Sequence, residues 1–438
     1  MHRTRLKAGH ALRSALRASL VILLSVPALA ADEPAQPGNK HLGVGSCDSN
    51  VCHGKLAAQT DRNVALNEAR IWSRDDDHHK AFSVLSNAQS QRIAAKLGLA
   101  DPSSSKMCLD CHADNVPAAL RGAKFQLREG VTCEACHGGA EQWIKTHTQK
   151  SEPHSANVAH GMYPTEQPLR RAELCLSCHM GTREKFTTHM ILGAGHPRLQ
   201  FELQWFTTAQ PPHFVVDADY VQRKGRIEPM NLWVTGQIEN ARRYLELLQT
   251  RVTQADSFLP DFALYECFAC HHPIDRQHWS RSRAGPGIEP GTLRLQKYPF
   301  VMLEAITEVL APGELTQLSA ATDSLMRAGQ RDPASMRSEA QKLHAWIDAH
   351  DGWIRRQYAP AEIRKMRQTV LHYAAEDKAS DFSTADQVYL SVDSLSYAFG
   401  DHERHKAALD SLFGAVQSTS AFDPAQFATV AHSLESQF

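Results

Sequence analysis

The order of apolar and polar positions divides this chain of 438 residues into three stretches. Ser19 to Ala30, SLVILLSVPALA, is a short apolar run. From Asp32 to about residue 280 no helical or strand period holds for long, which predicts short helices and loops with little sheet. The exception is Asn231 to Leu248, NLWVTGQIENARRYLELL, which predicts a long helix. The Gly- and Pro-rich stretch Ser280 to Thr292, SRSRAGPGIEPGT, predicts a linker or long surface loop. Helical periodicity dominates beyond it. In Pro360 to Ala375, the side chains of Ile363, Met366, Val370, Tyr373 and Ala374 share one face, and Pro360 is placed to open the helix. In Ser383 to Phe399, Val388, Val392, Leu395 and Phe399 form a second stripe, and Ser383 with Asp386 has capping-box spacing. Leu343 to Ile354 and His405 to Val416 also predict helices, so the expected product is an amphipathic bundle. His350 falls on the apolar side with Leu343, Ile347 and Ile354, where a satisfied core histidine is the expected role.

Charge changes the picture at the N-terminus. Arg3, Arg5, Lys7, Arg13 and Arg17 precede the apolar run, and Ala28 and Ala30 give a small-x-small cleavage pattern. Together they predict a cleaved signal peptide and a periplasmic or otherwise exported protein. The run is shorter than the ~20 apolar residues needed to span a bilayer. Without those five basic residues the chain has 42 basic against 48 acidic side chains, a formal charge of −6. A nucleic-acid partner would want a basic face, so that class is excluded.

Ten cysteines in an exported chain would ordinarily suggest disulfides. Their spacing points elsewhere. Four sets read Cys-x-x-Cys-His: Cys108, Cys111 and His112; Cys133, Cys136 and His137; Cys175, Cys178 and His179; Cys267, Cys270 and His271. This is the pattern of c-type haem attachment. Two thiols add across the two haem vinyl groups, and the following histidine lies under the iron. Cys47, Cys52 and His53 form a looser fifth set, in which two extra residues between Asp48 and Val51 must bulge out. The five sets use all ten cysteines, so five covalently bound haems are expected. A zinc ribbon would not need a histidine after each second cysteine.

Electron-transfer haems usually take two axial ligands from the protein. By position, His78 (with His79 as rival), His147, His189 and His196 are the leading second ligands. Gly138 and Gly139 before His147 let backbone approach a ring closely, while Gly193, Gly195 and Pro197 make the stretch around His189 and His196 a turn rather than one continuous helix. His272 follows His271 directly and can serve only a neighbouring haem. His213 and His41 read individually as solvated loop histidines.

The runs CEACHGGAEQWIKTH, GMYPTEQPLRRAELCLSCHMGT, HMILGAGHPRLQFEL and CFACHHP resemble a family of periplasmic multihaem cytochromes. That family is similar to the tetrahaem cytochrome that accepts electrons from hydroxylamine oxidoreductase. The resemblance covers residues 41 to 280. It implies His78, His147, His189 and His196 as axial ligands, and haems in close, partly parallel pairs. Five motifs exceed the four of that relative and fall short of the eight of the oxidoreductase. No Cys-x-x-Cys-Lys occurs, so the mark of pentahaem nitrite reductases is absent.

The expected fold is mainly α: a signal peptide at 1–30, a pentahaem cytochrome c domain at 31–285 wrapped around its haems, and a helical domain at 292–438. The expected function is electron transfer between redox proteins, a membrane-associated redox complex among the candidate partners. The competing expectation is an oxidoreductase acting on a small nitrogen or sulfur compound at one open haem, with Asp75, Asp76, Asp77, His213 and Tyr220 as nearby acid–base groups; no signature singles out catalytic residues.

Overall fold

The computed structural model describes residues 38–60, 64–251, 260–271, 288, 292–376 and 378–438. The expected signal peptide lies outside them, as do His272 and most of the expected linker. Among the described residues the regular structure is helical, with only two isolated bridges, His41 to Arg121 and Tyr265 to Leu295. None of the described helices is long and apolar enough to cross a membrane.

The first part is made of short helices: α1 (Glu68–Asp75), α2 (Asp77–Lys80), α3 (Ala88–Lys96), α4 (Lys106–His112), α5 (Cys133–His137), α6 (His154–Ala159), α7 (Pro168–His179), α8 (His189–Ala194), α9 (Leu203–Ala209) and α10 (Ala218–Lys224). Side chains and prolines fix where several begin. Asn87 and Thr188 cap α3 and α8, and Pro168 occupies the first turn of α7. Apolar cores here are small. Leu85, Leu109 and Ala113 make one; Ala172, Leu176, Phe201, Leu203 and Leu232 make another.

The long helix predicted around Asn231 is α11 (Pro229–Arg251). It is followed by α12 (Tyr298–Leu310), α13 (Leu315–Ala328), α14 (Pro333–Ala349), α15 (Pro360–Ala375), α16 (Phe382–Phe399), α17 (Lys406–Ala415) and α18 (Pro424–Leu434). One continuous core joins Trp233, Tyr244 and Leu248 of α11 to Phe300, Leu343, Met366, Val392 and Phe427. Pro360 opens α15, and the Glu362 carboxylate accepts the Ala359 N–H at 2.8 Å. The cap of α16 differs from the expected Ser383: Asp381, two residues earlier, accepts the Thr384 N–H at 2.9 Å. The segment expected as one helix from Leu343 to Ile354 breaks at His350. There the ring hydrogen-bonds the Trp346 carbonyl at 2.7 Å and faces Glu314 at 3.1 Å.

The boundary expected between 285 and 292 falls on residues most of which lie outside those described. Residues 38–438 form one compact unit, and α11, which precedes that boundary, is central to the later core. α16 also reaches back across it. Gln387 donates to the Phe201 carbonyl at 2.9 Å and Ser394 to the Glu202 carboxylate at 2.6 Å.

Candidate functional site

The cysteine motifs lie on helix ends. Motif two ends α4, motif three is α5, and motif four ends α7, so each histidine leaves its helix at the last turn. In motif five a 3-10 turn serves, with the His271 N–H on the Cys267 carbonyl at 2.7 Å. Motif one makes the same closure across two more residues: the His53 N–H reaches the Cys47 carbonyl at 2.9 Å. The surplus turns back on itself, with Cys52 N–H on Ser49 O at 2.9 Å and Gly54 N–H on the same oxygen at 3.0 Å. A Cβ on Gly54 would stand 1.6 Å from the Asp48 carbonyl, so only glycine closes this loop. None of the ten cysteines is in a disulfide.

Each motif histidine faces a second histidine from elsewhere in the chain. His53 faces His147 with ring centroids 6.2 Å apart. His112 faces His196 at 6.2 Å, His137 faces His213 at 6.3 Å, His179 faces His78 at 6.2 Å, and His271 faces His189 at 6.3 Å. Two imidazoles bound to one metal through bonds of about 2 Å, with about 1.1 Å from nitrogen to ring centre, would have centroids about 6.3 Å apart. Ring stacking would bring them closer, so the spacing fits an axial pair around one iron. The ring planes are 17° apart at His53 and His147 and 34° at His189 and His271, but 81°, 82° and 83° in the other three pairs.

Five of the ten rings are positioned through Nδ1, leaving Nε2 for a metal. His112 bonds the Ala81 carbonyl at 2.9 Å, His196 the Pro197 carbonyl at 2.7 Å and His147 the Trp143 carbonyl at 3.3 Å. His53 and His78 bond carboxylates instead, Glu68 at 2.9 Å and Asp76 at 2.8 Å. A ligating imidazole must be neutral. Burial, with the facing His213 adding to it, pushes His137 down to about 3. Burial and His78 push His179 down to about 4. Burial also lowers His147, His196 and His213. His78 is raised, chiefly by its bond to Asp76.

The five sites adjoin. The Cys133 thiol lies near Cys47, Cys136 lies near Cys175 and Cys178, and the thiols of Cys111 and Cys178 touch. Sites one, three, four and two therefore form a row. One cavity is lined by both His179 and Cys267, which joins site five to site four.

The structure thus brings His78, His147, His189 and His196 each opposite a motif histidine. His213, expected to be a solvated loop residue, takes the fifth such place. His79, the rival of His78, packs edge-on against Trp72 with ring centroids 4.4 Å apart. His41 bonds Asp114 at 2.8 Å and faces no motif histidine. The close approach expected at Gly138 and Gly139 is to backbone as well as to a ring: a Cβ on Gly139 would meet the Asn39 carbonyl at 2.5 Å and the His41 ring at 2.9 Å. Sequence reasoning passed over Glu134, whose buried carboxylate accepts from Leu42, Gly43 and Ala140 N–H groups at 2.7, 2.7 and 2.8 Å and ties motif three to the first described segment.

Residues 46–138, which hold the first three motifs, match the family model described as cytochrome c554 and c-prime. The match makes this segment similar to multihaem c-type cytochromes, whose haem c groups serve electron transfer. No curated protein and no solved structure matches the chain.

Proposed function

We propose that this chain is an exported pentahaem cytochrome c that passes electrons between redox protein partners, a membrane-associated redox complex among them, through five bis-histidine haems. The observation that carries the reading is the pairing itself: every motif histidine has a second histidine 6.2–6.3 Å away. The ten thiols attach the five groups, His53, His112, His137, His179 and His271 ligate on one face, and His147, His196, His213, His78 and His189 ligate on the other. Haem supplies the reversible iron couple when bound. The protein's own part is to hold both ligands fixed, so that little rearrangement accompanies electron gain or loss. Filling both axial positions at all five sites also favours carriage over chemistry on a small molecule, which needs an open iron.

The test is electron paramagnetic resonance of the oxidised protein and carbon monoxide difference spectra of the reduced protein, after expression with a c-type maturation system. Five low-spin haems with no carbon monoxide uptake are expected. A high-spin haem that binds carbon monoxide would overturn the reading and favour a multihaem oxidoreductase.

A further inference from the structure

Two of the ten paired histidines differ from the rest in what holds their outer nitrogen. His53 donates to the Glu68 carboxylate at 2.9 Å, and His78 to the Asp76 carboxylate at 2.8 Å. Among the described residues no carboxylate bonds a ring nitrogen of the other eight; the bonds found there go to neutral backbone carbonyls.

Both carboxylates are built in. Glu68 turns its second oxygen to the Leu66 N–H at 3.1 Å, and Leu66 holds a left-handed backbone angle, φ 57°, unusual for a side chain of its size. Asp76 is buried at the start of α2, where it also accepts the His78 N–H at 2.9 Å and the Gln210 amide at 3.1 Å.

A carboxylate on the outer N–H of a ligating imidazole draws the proton toward itself and leaves the ring a stronger electron donor. A stronger donor, with a negative charge behind it, stabilises ferric over ferrous iron and so lowers the reduction potential. We propose that Glu68 and Asp76 are tuning residues that make sites one and four the two low-potential haems of the five. This rests on the bis-histidine reading. Along the row one, three, four, two the potentials then alternate low and high, and the junction with site five falls on a low-potential site.

The ring planes allow the two sites to be told apart. Near-parallel imidazoles at site one separate the two iron π orbitals and give a rhombic low-spin signal. The 81° crossing at site four leaves those orbitals close in energy and gives a strongly anisotropic one. The experiment is a redox titration of the holoprotein followed by electron paramagnetic resonance, on the wild type, Glu68→Gln, Asp76→Asn and the control Asp393→Asn. Asp393 bonds His402, which faces no motif histidine, at 3.1 Å. The amides keep an acceptor oxygen for the ring, so folding and ligation are preserved while the charge is lost.

The expected result is that Glu68→Gln raises the midpoint of one rhombic component and Asp76→Asn that of one anisotropic component. Each is among the two lowest in the wild type, and each shift is at least tenfold in the reduction equilibrium, about 59 mV for one electron. The control moves none. Five low-spin haems whose midpoints stay in place in both variants would overturn the tuning while leaving the bis-histidine reading intact. A wild type without five low-spin haems would overturn both. If a variant fails to mature, the same order of potentials is read in the wild type alone: the lowest pair must comprise one rhombic and one anisotropic signal, and any other pair overturns the proposal.

Discussion

At the scale of single residues, the second histidine of each pair decides whether an iron held there has a free position. His213→Ala should therefore open one iron, seen as one high-spin signal and carbon monoxide uptake by one haem in five. His272→Ala and His41→Ala should leave all five low-spin, because five pairs form without them. The attachment residues are legible in the sequence because a covalent bond to a rigid macrocycle fixes their local spacing. Second ligands have no such local constraint. His147 and His78 still sit in short helical runs that aim them, while His189 opens α8 and His196 follows its end. His213 stands in AQPPHFVVD with no local pattern, and only the tertiary return of that loop brings it to His137. Choosing His78 over His79 likewise depends on contacts far along the chain, with Trp72 on one side and His179 on the other.

At the scale of elements, periodicity located the long helices, while buried polar groups at their ends were not legible. Arg367 of α15 is 1 % exposed and bonds Asp401 at 2.6 and 3.0 Å beyond the end of α16. Its place in the stripe pattern gives no sign of this. Arg367→Ala should cost on the order of 2 kcal/mol, since it removes buried charge-assisted bonds and leaves Asp401 with His405, at 3.3 Å, as its ionic partner, and denaturant unfolding would measure it. Glu202 caps α9, accepting the Gln204 and Trp205 N–H groups at 3.0 and 2.7 Å, and burial pushes its carboxyl up from 4.5 to about 7. The folded state therefore holds this proton more tightly than the unfolded chain does. The stability contributed is full below the unfolded value and is lost as pH rises through the folded one. That loss is on the order of 3 kcal/mol between pH 4.5 and 7. Glu202→Gln should lack this decline, so thermal midpoints at pH 5 and pH 8 should lie closer together in the variant than in the wild type.

At the scale of the whole molecule, the apolar pattern suggested two bodies and the packing makes one. The composition of Ser280 to Thr292 reads as a linker, but α11 before it supplies Trp233, Tyr244 and Leu248 to the core of everything after it. A break in the sequence pattern is no sign of where burial ends. Site four then stands at the centre of the arrangement. It touches site two through Cys178 and Cys111, lies next to site three through Cys136, and shares a cavity with site five. No other site has three neighbours of this kind among the described residues. Replacing Cys175 and Cys178 together by serine should remove the attachment there and split the row. Sites one and three would remain a connected pair, while sites two and five would lose the step that joins them to it. Reduction by a stoichiometric donor, followed by rapid absorbance measurements, should then show three slowly exchanging populations, the pair and two single sites, where the wild type equilibrates as one. The corresponding change at site two, Cys108 and Cys111 to serine, removes an end of the row and should leave exchange among the remaining four as fast as before. If both variants slow exchange equally, site four is not the junction.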